Sequence, residues 1–322
     1  MAALRISVPY QWLYDFLATD GVKLLSWEEG APDQADLDET DLLVLPVHTL
    51  DKHPRFPYVT AALANEVIAR SRARLVQLLS VGHEGLVSPS VPIANAEGVM
   101  EGPTAEHAVT LLLSSMRSLP DFAASQGNAT WHNFTSPGLI GKSVALLGYG
   151  GVGSAIDQRL RNFDCHVTRF ASRARTTADT VVHALSALDA GWLGTFDAVV
   201  LALPSTPATR KLVDPAFLAA MKENAVLVNV GRGVVVDTEA LVEHAAKGHI
   251  RAAVDVVDPE PLPADHPLWS TPNITITPHV GGNTDAVAPA LTDLILRQAR
   301  RLQDGEPVLN RLEDSASDHW AG

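Results

Sequence analysis

An arginine, a glutamate and a histidine in the last third of the chain each stand just after an apolar run that predicts a strand. These residues are Arg232, Glu260 and His279. Ligands of open α/β sheets bind at the carboxyl ends of the strands, so the three side chains are expected to share one crevice. Such a set suits reversible hydride transfer to a 2-keto acid, a reaction that needs a carboxylate clamp and a proton donor.

The residue types assign a role to each member of this set. Arg232 would bind the substrate carboxylate and polarise the keto oxygen, and a charged His279 would give that oxygen a proton. Glu260 would orient His279 and favour its charged form. Arg232 lies between two glycines, which leave room for a close approach. Glu260, between two prolines, could instead be a simple turn residue.

A glycine-rich turn lies upstream of these residues. The apolar run 144–147 predicts a strand buried on both faces, and it ends in the GxGxxG sequence 148–153, followed by an amphipathic helical pattern. This context is typical of dinucleotide binding, with phosphates at the amino end of the helix; the alternative is a turn without a ligand. The candidate cofactor contacts in the turn are Gly148, Gly150, Gly151, Val152 and Gly153.

The second strand of this unit lacks the acid that NAD binding favours. A carboxylate about twenty residues past the turn would hold the ribose 2′-hydroxyl, but the strand ends at Ala171, followed by Ser172, Arg173 and Arg175. Without a carboxylate to repel it, a 2′-phosphate could bind Arg173 and Ser172, with Arg175 as a third candidate. The sequence therefore predicts NADP, with NAD as a weaker alternative. A solvated basic loop is the other interpretation, above all for Arg175.

Composition limits the classes of function. The 322 residues are 46% hydrophobic and 19% charged, as in globular proteins, and are long enough for two domains. A net charge of −13 argues against nucleic-acid and membrane partners. The single cysteine excludes an internal disulfide and a cysteine-built zinc site, and no metal site is predicted. The N-terminal sequence does not have the pattern of a signal peptide, so the cytoplasm is the expected compartment.

The first hundred residues predict a smaller α/β unit. Apolar runs predict strands near 5–8, 22–25, 42–45 and 75–79, with a helix near 59–70. The last of these strands leads into Ser80-Val81-Gly82-His83-Glu84-Gly85, where backbone N–H groups could face a small anion. An ordinary turn explains this loop equally well.

The remaining segments predict a connecting helix and a doubly wound sheet. Thr104 is the predicted N-cap of a helix that ends near Leu119-Pro120, before a polar linker in which Trp131 could pack or cover a pocket. Strands then alternate with helices, and Asp214 and Asp237 are predicted N-caps. In the last helix, Pro289 requires a start near residue 288.

Several motifs in order resemble the D-isomer-specific 2-hydroxyacid dehydrogenases over about residues 75–283. They are NAEGV, TAEHAV, LLGYGGVG, LALPSTPATRKLV, MKENAVLVNVGRG, DVVDPEPLPADHPLW and ITPHVGG. The resemblance implies that Arg232, Glu260 and His279 are catalytic and that Gly82 and His83 donate backbone N–H groups to the substrate carboxylate. Arg232 and His279 would then also contact the substrate, and Pro204 and Thr206 would contact the cofactor.

The resemblance also implies an architecture and a class of substrate. A Rossmann coenzyme domain, residues 104–283, would be inserted into a smaller flavodoxin-like substrate domain of residues 1–103 and 284–322, and the chain would form a homodimer. The missing acid is similar to the NADP-preferring glyoxylate and hydroxypyruvate reductases, although the bulky His83 departs from the usual small residues. The alternative is a dinucleotide-sensing binding protein similar to the C-terminal-binding corepressors, which share the same three positions.

Overall fold

The computed structural model describes residues 4–17, 21–25, 31–46, 59–83, 85–87, 91–177 and 179–312; Glu84 of the predicted anion-binding loop lies outside them. The chain forms two compact units, one of Met1–Met100 with Gly282–Ala321 and one of Glu101–Gly281. Each unit is built around its own sheet. We refer to them as the first and the second unit.

The first unit contains a five-stranded parallel sheet in the order β2-β1-β3-β4-β5. Its strands are β1 (Ile6–Val8), β2 (Val22–Leu24), β3 (Leu42–Leu45), β4 (Leu75–Leu78) and β5 (Ile93–Ala94). Its first helices are α1 (Gln11–Leu17), α2 (Gln34–Asp38) and α3 (Ala61–Arg70). The order 2-1-3-4-5 is that of flavodoxin-like folds, as predicted.

Local signals set the helix boundaries of the first unit. The Thr60 hydroxyl accepts a hydrogen bond from the Leu63 N–H and caps α3. The last helix of the chain begins at Val287, so Pro289 falls in its first turn, where the N–H that proline lacks would have no partner within the helix. This resolves the boundary that Pro289 left open.

The second unit contains an eight-stranded sheet in the order β13-β12-β11-β10-β6-β7-β9-β8. Its strands are β6 (Ser143–Leu147), β7 (His166–Ala171), β8 (Arg175–Thr176), β9 (Val181–Ala184), β10 (Ala198–Leu201), β11 (Val226–Asn229), β12 (Arg251–Val254) and β13 (Ile274–Ile276). Its helices are α4 (Glu101–Met116), α5 (Leu119–Gly127), α6 (Gly151–Leu160), α7 (Ala190–Leu193), α8 (Pro215–Ala220) and α9 (Thr238–Ala246), and α10 of the first unit is Val287–Asp304.

The strand order reverses beside β6, which gives the doubly wound Rossmann arrangement that the sequence predicted. The strands are parallel except for β8, which pairs antiparallel with β9 at the edge. The central strands β6, β10 and β11 are mostly apolar and almost entirely buried because both faces are covered. Asp214 and Asp237 cap α8 and α9 by accepting the N–H groups of Phe217 and Ala240.

The predicted start of the helix before the glycine turn was wrong. Thr104 is not an N-cap, since α4 begins three residues earlier at Glu101. Pro103 lies in the first turn of α4, where proline needs no helical acceptor, so it does not delay the helix. The predicted linker also begins inside a second helix, α5. Trp131 follows that helix with 96% of its surface exposed, so it is not packed into the core.

No described helix is long and apolar enough to cross a membrane. The described residues also contain no group of three or more histidine, cysteine, aspartate or glutamate side chains placed to hold a metal ion.

Candidate active site

The glycine turn is tight on two sides and open on the third. Gly148 has a φ of 98°, and a Cβ atom there would lie 2.3 Å from the Ala202 carbonyl oxygen. A Cβ atom at Gly153 would lie 1.9 Å from the Gly148 carbonyl oxygen, so α6 packs directly onto the turn. Apart from its chain neighbours, no described residue has a heavy atom within 4 Å of the corresponding position at Gly150. The open side, at the amino end of α6, fits a pyrophosphate.

The next two residues of the turn differ in their surroundings. A Cβ atom at Gly151 would lie 2.7 Å from the Cγ atom of Glu101, so a side chain there would have to displace the Glu101 side chain. Val152 is half-buried and packs against the core on the same face of the sheet as α4. Gly150 therefore offers the least hindered approach to the turn.

The carboxyl end of β7 carries no acid. Ala171 is 7% exposed, whereas Ser172 and Arg173 are exposed. Arg173 forms no hydrogen bond or ion pair with any described residue. Arg175 is the first residue of β8, and its guanidinium donates to the carbonyl oxygen of Tyr149 in the glycine turn. The basic segment thus includes one unengaged arginine and one anchored to the turn.

The loop after β11 fixes the position of Arg232. Buried Asn229 accepts the N–H of Gly231 at 3.0 Å and donates to the carbonyl oxygen of Arg232 at 3.1 Å. A Cβ atom at Gly231 would lie 2.5 Å from a carbonyl oxygen after β10, and one at Gly233 would lie 1.9 Å from a carbonyl oxygen after β12. The room that the two glycines leave is therefore filled by neighbouring backbone. The Arg232 Nη1 atom donates to the Gly231 carbonyl oxygen at 2.9 Å.

Glu260 and His279 form a direct pair. The Nδ1 atom of His279 lies 2.8 Å from the Oε1 atom of Glu260, and the two side chains are 47% and 27% exposed. His279 has a φ of 55°, an uncommon value for a residue other than glycine, and its N–H donates to the carbonyl oxygens of Asp255 and Thr277. Outliers of this kind are often found at functional sites, where surrounding contacts hold them in place.

The turn after β10 is closed by its own hydroxyl groups. The N–H of Thr206 donates to the Thr209 hydroxyl oxygen at 2.9 Å, and that hydroxyl donates to the Pro204 carbonyl oxygen at 2.7 Å. Pro204 is exposed and Thr206 is half-buried. These contacts hold the turn in shape without a ligand.

The loop after β4, in the first unit, has its carbonyl groups engaged. The Ser80 hydroxyl donates to the Gly82 carbonyl oxygen at 2.9 Å, and the Asn95 amide donates to the Val81 carbonyl oxygen at 3.2 Å. The His83 ring also lies 3.4 Å from that Val81 oxygen. Among the described residues, no acceptor pairs with the N–H of Gly82 or of His83. These two groups are available for a small anion.

Comparisons with known proteins agree with this architecture. The model of the D-isomer specific 2-hydroxyacid dehydrogenase NAD binding domain matches residues 109–281. A glyoxylate reductase from Thermofilum pendens is 30% identical over 80% of this chain and 80% of its own length. A human glyoxylate reductase/hydroxypyruvate reductase is 30% identical over 76% of this chain and 78% of its own length. The chain belongs to the D-isomer specific 2-hydroxyacid dehydrogenase family.

A solved structure supports the same assignment for the whole chain. The D-isomer specific 2-hydroxyacid dehydrogenase from Xanthobacter autotrophicus, in complex with NADPH and MES, is 26% identical and has a TM-score of 0.77. The alignment covers 98% of this chain and 99% of that one. The present dehydrogenase is accordingly an oxidoreductase that uses a nicotinamide dinucleotide.

The dehydrogenase also contains a buried carboxylate that the sequence analysis missed. Asp255, directly after β12, is 3% exposed. It accepts the Thr277 hydroxyl at 2.6 Å and the N–H groups of Val280 and Gly281 at 2.9 Å each. The Nε2 atom of His107, from α4, lies 3.2 Å from the same carboxylate. An acid that ends a buried apolar run, five residues before Glu260, was the signal available in the sequence.

These bonds hold Asp255 in its charged form and fix the residues around His279. Burial raises the pKa of Asp255, but the hydrogen bonds from His107, Thr277 and two backbone N–H groups outweigh it and keep the pKa below its ordinary value. The backbone on both sides of His279 is thereby tied to the end of β12. In this dehydrogenase, Asp255 supports the unusual backbone conformation of the histidine.

Proposed function

We propose that this dehydrogenase reduces a small 2-keto acid, of the glyoxylate or hydroxypyruvate kind, to the D-2-hydroxy acid with NADPH. The main support for this reaction is the 2.8 Å contact between the His279 Nδ1 and Glu260 Oε1 atoms at the carboxyl end of the sheet. The names of the glyoxylate-reducing relatives support the substrate class. The missing acid at Ala171 supports the choice of cofactor.

In the proposed reaction each catalytic side chain has one task. Glu260 accepts the Nδ1 hydrogen of His279, which leaves Nε2 as the atom that gives a proton to the keto oxygen. Arg232 binds the substrate carboxylate and polarises the keto group. The N–H groups of Gly82 and His83 are proposed as donors to a substrate carboxylate. A bound nicotinamide would supply the hydride. In the reverse direction neutral His279 would accept the proton.

The chain's own residues fit the cofactor. The open side of the turn at Gly150 would hold the pyrophosphate, with Gly148 and Gly153 fixing the turn, while Gly151 and Val152 begin the helix that faces it. Ser172 and Arg173 would bind the 2′-phosphate, and Arg175 is a further contact. Pro204 and Thr206 would line the cofactor site after β10. We place NAD as the weaker alternative.

The cofactor preference can be reversed by design. We expect the wild-type enzyme to favour NADPH over NADH by about ten- to a thousandfold in kcat/KM, because one or two charge-assisted bonds reach only the 2′-phosphate. Ala171→Asp combined with Arg173→Ala should favour NADH instead. Ala171→Asn is the matched control, since it adds similar volume without charge and should still favour NADPH. A wild-type enzyme equally active with both cofactors would contradict the assignment of Ser172 and Arg173.

We further propose a homodimer formed through the second unit. Three large apolar side chains of this unit are exposed: Leu119 by 54%, Trp131 by 96% and Ile140 by 77%. Exposed apolar surface of this kind is typical of protein–protein contacts. Light scattering should give twice the chain mass of 34.3 kDa. Trp131→Asp should weaken the dimer and Trp269→Asp, a control on another exposed tryptophan, should not. A monomeric wild-type protein would contradict the proposal.

The substrate class is tested by a panel of 2-keto acids. Purified enzyme with NADPH is given glyoxylate, hydroxypyruvate, pyruvate and longer or aromatic 2-keto acids, and loss of reduced cofactor is followed. We expect the highest kcat/KM with glyoxylate and hydroxypyruvate. A preference for aromatic 2-keto acids would contradict the substrate class while leaving the reaction type intact.

A further inference from the structure

Tyr149, the first variable residue of the glycine turn, points its side chain toward α6. Its hydroxyl donates to the Oδ2 atom of Asp157 at 2.8 Å. Burial and this hydrogen bond raise the pKa of the Tyr149 phenol, so it stays protonated near neutral pH. The ring is thus held by a donor–acceptor pair that joins the turn to the helix behind it.

Asp157 is itself firmly placed. It is fully buried, and Arg169 of β7 lies 2.7 Å from its Oδ1 atom, with Arg161 at 3.5 Å from Oδ2. Burial raises the pKa of Asp157, but the bonds from Arg169 and Tyr149 outweigh it and keep the pKa below its ordinary value. The Tyr149 hydroxyl therefore meets a charged carboxylate, and charge-assisted bonds are the stronger kind.

Arg175 closes over the outer side of the same tyrosine. Its guanidinium carbon lies 5.6 Å from the centroid of the Tyr149 ring, and its Nη2 atom donates to the Tyr149 carbonyl oxygen. A guanidinium has five N–H donors, so this bond leaves four for other acceptors. The Gly148 N–H also donates to the Phe170 carbonyl oxygen at 2.9 Å, which joins the turn to the carboxyl end of β7.

We propose that Tyr149 is a positioning residue for cofactor selection, which holds Arg175 above the glycine turn so that its remaining N–H groups meet the 2′-phosphate. The inference rests on the NADPH preference proposed above and adds a residue to it. Arg173, which has no partner among the described residues, binds the phosphate without help from Tyr149. The contribution of Arg175 thus depends on the tyrosine and that of Arg173 does not.

This dependence is tested by two double-mutant cycles on the 322-residue enzyme. Dissociation constants are measured for 2′,5′-ADP and, as the probe without a 2′-phosphate, for 5′-ADP. We expect Tyr149→Leu to weaken 2′,5′-ADP binding by about three- to tenfold, because it removes the ring under the guanidinium. Binding of 5′-ADP should change less than about twofold, since no contact to a 2′-phosphate is lost.

The effect of Tyr149→Leu should depend on which arginine is already replaced. In Arg175→Ala, Tyr149→Leu should have almost no further effect on 2′,5′-ADP, whereas in Arg173→Ala its effect should persist in full. Equal effects in both backgrounds, or tighter 2′,5′-ADP binding by Tyr149→Leu alone, would overturn the inference. If Tyr149→Leu does not fold, Tyr149→Met, which also removes the ring, is used in the same cycles.

Different binding results would refute the positioning role of Tyr149 and the proposed NADPH preference. Equal affinities of the wild-type enzyme for 2′,5′-ADP and 5′-ADP would refute the NADPH preference itself. A clear wild-type preference for 2′,5′-ADP, together with additive effects of Tyr149→Leu and Arg175→Ala, would refute the positioning role alone.

Discussion

Arg232→Ala is expected to lower kcat/KM for 2-keto acid reduction by about a thousandfold or more, because it removes both the carboxylate clamp and the charge that polarises the keto oxygen. Arg232→Lys should keep part of the activity, since a lysine preserves the charge but not the planar fork. Steady-state kinetics with NADPH and glyoxylate measure both.

Two controls separate this effect from general damage. Arg300→Ala removes an exposed arginine of α10 and should leave kcat/KM unchanged. The melting temperature of Arg232→Ala should stay close to that of the wild-type enzyme, because Asn229 holds the loop through backbone groups. Near-normal turnover by Arg232→Ala would exclude this residue from the reaction.

His279→Ala should lower kcat by about two to four powers of ten, the usual contribution of a general acid, with cofactor affinity nearly unchanged. Because His279 has a φ of 55°, alanine there combines a chemical change with backbone strain. His279→Asn is the sharper variant, since asparagine tolerates this conformation. Both should lose turnover to a similar extent if the imidazole supplies the proton.

Variants of Glu260, the partner of His279, and of a surface histidine serve as comparisons. Glu260→Gln should reduce kcat less than His279→Ala does, because the amide oxygen can still accept the Nδ1 hydrogen. His166→Ala, at the exposed start of β7, should have no effect. A His279→Asn enzyme with normal kcat would show that the proton comes from another group.

The sequence predicted the fold where its signals are local and repeated. Buried strands such as β6 read as uninterrupted apolar runs, and the GxGxxG turn marks where the first of them ends. Asp214 and Asp237 were predicted as caps because an aspartate just before a helix commonly accepts a backbone N–H of the first helical turn. Thr104 looked the same but lies inside α4, because Pro103 fits the first helical turn and the helix begins before it, at Glu101.

The remaining features depend on contacts between residues that are far apart in the chain. The partners of Asp255 come from α4 and from the loop after β13, and no pattern near Asp255 reveals them. The contact of Arg175 with Tyr149 likewise joins residues that are 26 positions apart in the chain. The glycines beside Arg232 were interpreted as making room, but the sequence could not show that neighbouring backbone fills it.

Reduction of hydroxypyruvate by the wild-type enzyme with NADPH is the most direct test of the proposed function. Loss of NADPH is followed by absorbance, and the glycerate formed is resolved by chiral chromatography. We predict steady consumption of NADPH and D-glycerate as the product. No consumption with hydroxypyruvate or glyoxylate, or formation of L-glycerate, would contradict it.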